Sequence, residues 1–195
     1  MCFGLKKIVK IYESGNVITC GLIGRGKDML TANVIARRKV SYISNMDYHC
    51  AQSEYIPLDF SKIDVKNTYE NFISGSVVPY EYEYPENADF YITDAGVYFP
   101  AQSERDLCRK FPTMPVFQAL SRHLGNCRFH CNVQNLNRLW DKIREQADNY
   151  IICNWCKVLF KKLVIMKVTV YDKYQSCVDR VKPFKPLLLL LALQK

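Results

Sequence analysis

One short segment constrains this chain more than any other: Gly21-Leu-Ile-Gly24-Arg25-Gly26-Lys27, the pattern G-x-x-x-x-G-K. Residues 16–20 before it (Asn-Val-Ile-Thr-Cys) are short and β-branched, which predicts a buried strand. Residues 29–40 after it carry Leu30, Val34 and Ile35 at helical spacing and run into Arg37-Arg38-Lys39, which predicts a helix. A strand, a glycine turn and a helix in that order form a cradle for an anion. Glycines admit positive φ, so successive amides face one concavity at the positive end of a helix. Gly21, Gly24, Arg25, Gly26, Lys27, Asp28 and Met29 are therefore the candidate nucleotide-binding residues, with Lys27 reaching the terminal phosphates.

The rest of the pattern supports a doubly wound α/β fold with a mainly parallel sheet flanked by helices. Strands are predicted at 39–44, 88–94 and 128–134, with one or two further β-rich stretches over 158–172. Helices are predicted at 69–74, 114–124 and 137–147. The chain divides on this reading into an N-terminal extension (1–15), an α/β domain (16–172) and a basic, Pro/Leu-rich tail (173–195) that reads as truncated. The tail's apolar run, Leu187 to Leu193, falls well short of the roughly 20 residues a membrane helix needs.

Composition narrows the class. Of 195 residues, 49% are hydrophobic and 24% charged, which excludes a disordered or fibrous chain. A domain of this size removes roughly 70% of its unfolded surface from water, so it needs no disulfide staples. Nine cysteines, an odd number, are scattered without a signal peptide before them, which predicts buried, reduced thiols in a cytoplasmic protein. Cys127-x-x-x-Cys131 with His123 and His130, and Cys153-x-x-Cys156, are the weaker zinc alternative. Twenty-seven basic against 19 acidic residues leave a formal charge of +8, suited to nucleic acid or an anionic membrane face.

Three further positions carry chemistry. Asp94 ends an apolar strand, where a carboxylate holds the water shell of a phosphate-bound Mg²⁺. Gln134 ends the next strand and is placed to sense the terminal phosphate. Arg122, Arg138 and Arg144 are candidates for charge stabilisation, reaching within or between subunits. Two departures bear on hydrolysis. Asp28 replaces the Ser/Thr that ligates Mg²⁺, which makes Asp28 and Asp94 the candidate metal carboxylates. Ala95 stands where a water-polarising Glu commonly follows, and Glu104 is the nearest downstream substitute.

Together these residues resemble the Zot-type (zonula occludens toxin-like) P-loop ATPases of filamentous phages, within the wider group of ring-forming DNA-translocating and packaging ATPases. The resemblance spans 16–150. It rests on the glycine segment, Tyr91-Ile-Thr-Asp94 with Tyr98-Phe99-Pro100, and Ser121-Arg122-His123-Leu124-Gly125. It continues through Val133-Gln134-Asn135 and Trp140-Asp141-Lys142-Ile143-Arg144. It implies ATP and Mg²⁺ as cofactors, Lys27, Asp94, Gln134 and Arg144 as catalytic residues, a homo-oligomeric ring, and phage or viral DNA as partner. It further implies work in the host cytoplasm or at the cytoplasmic face of the inner membrane, beside membrane or virion assembly proteins. Two other functions compete: a degenerate nucleotide-binding module that does not hydrolyse, and a phage nucleotide kinase.

Overall fold

A computed structural model describes residues 3–59, 87–101, 118, 126–159, 163–172 and 184–192. The expected helices at 69–74 and 114–124 fall outside these residues, apart from the helical Gln118.

Eight strands form one sheet in the order β3-β2-β4-β5-β1-β6-β7-β8. β1 (Val17–Cys20), β2 (Tyr42–Ser44), β3 (Tyr55–Pro57), β4 (Asp89–Ile92) and β5 (Phe129–Val133) pair in parallel, as does the start of β6 (Asn149–Leu159) with β1. β7 (Leu163–Tyr171) and β8 (Phe184–Ala192) extend the sheet antiparallel. β1, β4 and β5 are buried along their whole length, as strands covered on both faces must be.

Alternate residues of these strands feed two cores. Ile18, Phe90, Ile92, Phe129, Cys131 and Tyr150 pack with Leu139, Trp140 and Ile143 on one face. Val17, Tyr91 and Ile151 pack on the other with helix α1 (Phe3–Ser14) and helix α2 (Lys27–Arg38). α1 lays Leu5, Ile8 and Tyr12 inward at helical spacing and exposes Lys6, Lys7 and Lys10. In α2, Leu30, Thr31, Val34 and Ile35 face the sheet, and Arg37 and Arg38 sit in the last turn, where cations suit the helix dipole.

Three sequence expectations differ from what is observed. Within the N-terminal extension expected over 1–15, the described residues form α1, which packs against α2 with Leu5 and Ile8 fully buried, as part of the domain core. The tail contributes β8, whose leucines pair with β7, so the sheet continues past residue 172. The helix expected over 137–147 is a 3₁₀ turn (Leu136–Arg138) and a short helix, α4 (Asp141–Glu145). Leu139 bridges to Pro100, and the Trp140 N–H donates to the Phe99 carbonyl at 2.8 Å. Those two contacts take backbone groups that a continuous helix would use. α3 (Ala95–Tyr98) is the single turn that follows β4.

Candidate functional site

The carboxyl ends of β1, β5 and β4 lie side by side, and each releases its chain into a candidate residue. After β1 the chain makes the glycine loop. The Gly21 N–H donates to the Val133 carbonyl of β5 at 3.1 Å, and the Arg25 N–H donates to the Leu22 carbonyl at 3.1 Å. Gly24 and Gly26 adopt φ of 75° and 82°, the left-handed region that other L-residues enter at a cost. A methyl group on Gly26 would also clash with Met166 Cε. Leu22, Ile23, Gly24 and Arg25 are exposed at the loop tip.

α2 starts at Lys27, whose side chain is only 6% exposed, and its first-turn amides lack helical acceptors. A buried lysine next to those donors makes a site for an anion of several charges. Met29 faces the other way, against the core shared by α1 and α2. Asp28 is engaged within the protein: its Oδ1 accepts from Asn132 Nδ2 at 2.9 Å. Asn132 also shares hydrogen bonds with Thr31, Oγ1 donating to Asn132 Oδ1 at 3.1 Å and accepting from Nδ2 at 3.0 Å. The carboxylate that replaces Ser/Thr is thus tied to β5 through one oxygen.

Around Lys27 lie three thiols. Burial raises the Cys20 pKa, with Lys27 pulling the other way, and it pushes Cys153 up to about 12. Cys156 Sγ donates to the Gly24 carbonyl at 3.0 Å. Among the described residues no three His, Cys, Asp or Glu side chains converge on a metal position; His123 lies outside them. Cys131 faces the core from β5, and burial raises its pKa.

Asp94 follows β4 in a left-handed conformation (φ 50°, ψ 42°), exposed, with no side-chain capping bond to α3. Gln134 follows β5, half-buried, its carbonyl 3.6 Å from Cys20 Sγ. Asp94, Gln134, Asn135 and Arg138 line one cleft at this edge with Gly96 and Val97. Arg138 is therefore the arginine that shares the cleft with Asp94. Arg144 lies apart, half-buried, and donates to the Leu136 carbonyl at 3.3 Å. Glu104 and Arg122 lie outside the described residues. Sequence reasoning did not rank Arg138 above the other arginines, and it passed over Asn132 altogether. A lone Asn within the apolar strand Phe129–Val133 was the available signal for Asn132.

Solved structures share this fold at low identity. The N-terminal domain of zonular occludens toxin from Neisseria meningitidis is 12% identical, covers 93% of this chain and 95% of its own, and superposes with a TM-score of 0.54. The genome packaging NTPase B204 from Sulfolobus turreted icosahedral virus 2, in complex with AMP, is 13% identical over 91% of this chain and 96% of its own, with a TM-score of 0.52. The chain has a P-loop NTPase fold. B204 from Sulfolobus Turreted Icosahedral Virus, described as a DNA-packaging ATPase, matches similarly, 15% identical with a TM-score of 0.51. No family model matches the sequence, and no curated protein sequence does. The likeness to the toxin domain read from motifs is thus met again in the P-loop NTPase fold. In that fold β5 separates the β1 loop from the β4 carboxylate.

Proposed function

We propose that this chain is an ATP-dependent motor domain acting on phage or viral DNA during packaging, assembly or export. The observation that carries this reading is the strand order β4-β5-β1, which aligns Asp94, Gln134 and the Lys27 loop along one edge of the sheet. The fold neighbours include a genome packaging NTPase over nine tenths of both chains, which supports the same class. The charge of +8 supports a polyanionic partner.

In this reading the loop amides and Lys27 hold the β- and γ-phosphates. Magnesium fits the donor set, because Asp94 offers an exposed hard-oxygen ligand while Asp28 has one oxygen committed to Asn132. Bound with ATP, Mg²⁺ would neutralise phosphate charge. Gln134 orients a water at the cleft, and Arg138 stands beside it as the nearer cation, with Arg144 supporting the turn that carries it. Subunits close into a ring in the host cytoplasm or at the cytoplasmic face of the inner membrane, next to virion assembly proteins. Among the described residues no helix is long and apolar enough to cross a membrane.

A specific observation favours a second reading, nucleotide binding without turnover. Asp28 is drawn toward Asn132, and the residue after Asp94 is Ala95, fully buried and without a carboxylate. The test is Mg²⁺-dependent ATP turnover with and without single-stranded DNA, for the chain and for Lys27→Ala. The motor reading expects DNA-stimulated turnover that falls about a hundredfold or more in Lys27→Ala. ATP binding without turnover selects the second reading, and absence of both ATP and DNA binding overturns both.

A further inference from the structure

The residue before Asp94 is held in an unusual way. The β2–β4 ladder ends at the pair Ser44↔Tyr91. Beyond it, the side chain of Asn45 takes the place of another peptide unit. Asn45 Oδ1 accepts from the Thr93 N–H at 2.8 Å, and Asn45 Nδ2 donates to the Thr93 carbonyl at 2.9 Å. One carboxamide therefore satisfies both backbone groups of Thr93. The same loop sends in a second side chain, for Tyr48 Oη lies 2.5 Å from Thr93 Oγ1. Ser44 Oγ donates to the Tyr91 carbonyl at 2.6 Å, so three side chains from residues 44–48 grip the last turn of β4.

Thr93 itself has no chemistry to offer, being 9% exposed. Its neighbour does. Asp94 sits in the left-handed region, which a residue with a Cβ keeps only when its surroundings enforce it. On the far side, the Asp94 carbonyl accepts from the Val97 N–H at 2.8 Å. The Asp94 backbone is thus fixed before and after, while its carboxylate stays at the cleft. Had β2 simply continued, its backbone would have made the same two bonds. Using a side chain instead lets the chain turn away at residue 45 and bring Tyr48 onto the same point.

We infer that Asn45 is a positioning residue: it sets Asp94, through Thr93, at the place where its carboxylate meets the cation of a metal–nucleotide complex. This rests on the function proposed above, and it gives the loop after β2 a role in metal affinity rather than in phosphate binding.

The experiment measures the affinity of the full chain for a fluorescent, non-hydrolysable ATP analogue with and without Mg²⁺, so it does not need turnover. The wild type gains affinity on adding Mg²⁺, and Asp94→Ala removes that gain. Asn45→Ala loses about tenfold of it, the usual cost of removing an outer support of a metal ligand, while its metal-free affinity stays within about twofold of wild type. Asn45→Asp, the same size and still an acceptor for the Thr93 N–H, loses less, and a native melting transition shows that it is folded. The inference is overturned if folded Asn45 variants keep the full magnesium gain, or if the wild type binds the analogue with no gain at all. A wild type that binds no analogue brings down the proposed function itself, and this inference with it.

Discussion

The two edges of the parallel sheet treat charge in opposite ways. At the amino edge, Asp89 is fully buried, ion-paired with Arg38 and accepting from the Arg128 N–H at 2.8 Å. Arg38 also donates to Tyr91 Oη at 3.0 Å, and Asn16 joins β1, β5 and the Asp148 carboxylate. At the carboxyl edge the Lys27 loop, Asp94 and Gln134 instead open on a cleft and an exposed loop tip, where Ile23 is 79% exposed. One edge answers its charges from within the chain and so contributes rigidity. The other leaves its charges to be answered by a solute, as a binding edge must.

That contrast can be broken from either side. The largest effect is expected at the amino edge: Asp89→Ala leaves Arg38 buried without its partner and costs about 3–5 kcal/mol in chemical denaturation. Nucleotide affinity per folded molecule should stay unchanged, since no binding residue is touched. Next comes Gly26→Ala at the carboxyl edge, where the left-handed backbone and the contact with Met166 together cost about 1–3 kcal/mol. Here nucleotide affinity should fall with stability, by more than about tenfold, because the loop amides turn with the backbone.

The amino edge also predicts a pH response. His130 is buried between the rings of Tyr12 and Tyr91, both centroids 4.7 Å away. That burial, with Arg38 and Arg128 nearby, holds its pKa well below the ordinary value. The unfolded chain binds a proton near pH 6.5 that the folded chain refuses. The contribution is therefore complete above that pH. Below it, stability falls by about 1.4 kcal/mol per unit until the folded pKa is reached. Denaturation midpoints across this range, compared with His130→Phe, should show the slope reduced in the variant. The smallest effect belongs to Gly24→Ala. Its φ is equally left-handed, but no atom lies within 4 Å of the added methyl, so the cost is about 1 kcal/mol. A loss as large as that at Gly26 would show that the loop tip is packed rather than open.

What could be read from the sequence follows from how local each signal is. β1, α2, β4 and β5 were legible because a parallel strand buried on both faces is a short apolar run, and the glycine motif joins two of them. β6 escaped because Asn154 and Lys157 interrupt its apolar run, and its long register with β7 is set by pairing across the hairpin. α1 escaped although Leu5, Ile8 and Tyr12 carry a helical spacing, since that apolar face gains its meaning only against α2 and the sheet. In the site, Lys27 was located by the glycine motif, and Asp94 and Gln134 by their places just after apolar strands. Asn45 could not be, and Asn132 only as a lone polar residue in an apolar strand, because an asparagine gains its role from the distant backbone or carboxylate it meets. Which arginine lines the cleft has the same origin: the 3₁₀ turn brings Arg138 there, and the helix expected over 137–147 would have turned it differently.

The insertion of β5 between β1 and β4 has one more consequence. β1, which leads into the glycine loop, and β4, which ends just before Asp94, are two inter-strand steps apart, about 9.5 Å. The loop after β1 and the residue after β4 are therefore held apart by the width of a strand, with Gln134 at the end of β5 between them. The span is a ruler made of peptide hydrogen bonds. Point substitutions can change what stands at either end of it, but its length belongs to the sheet.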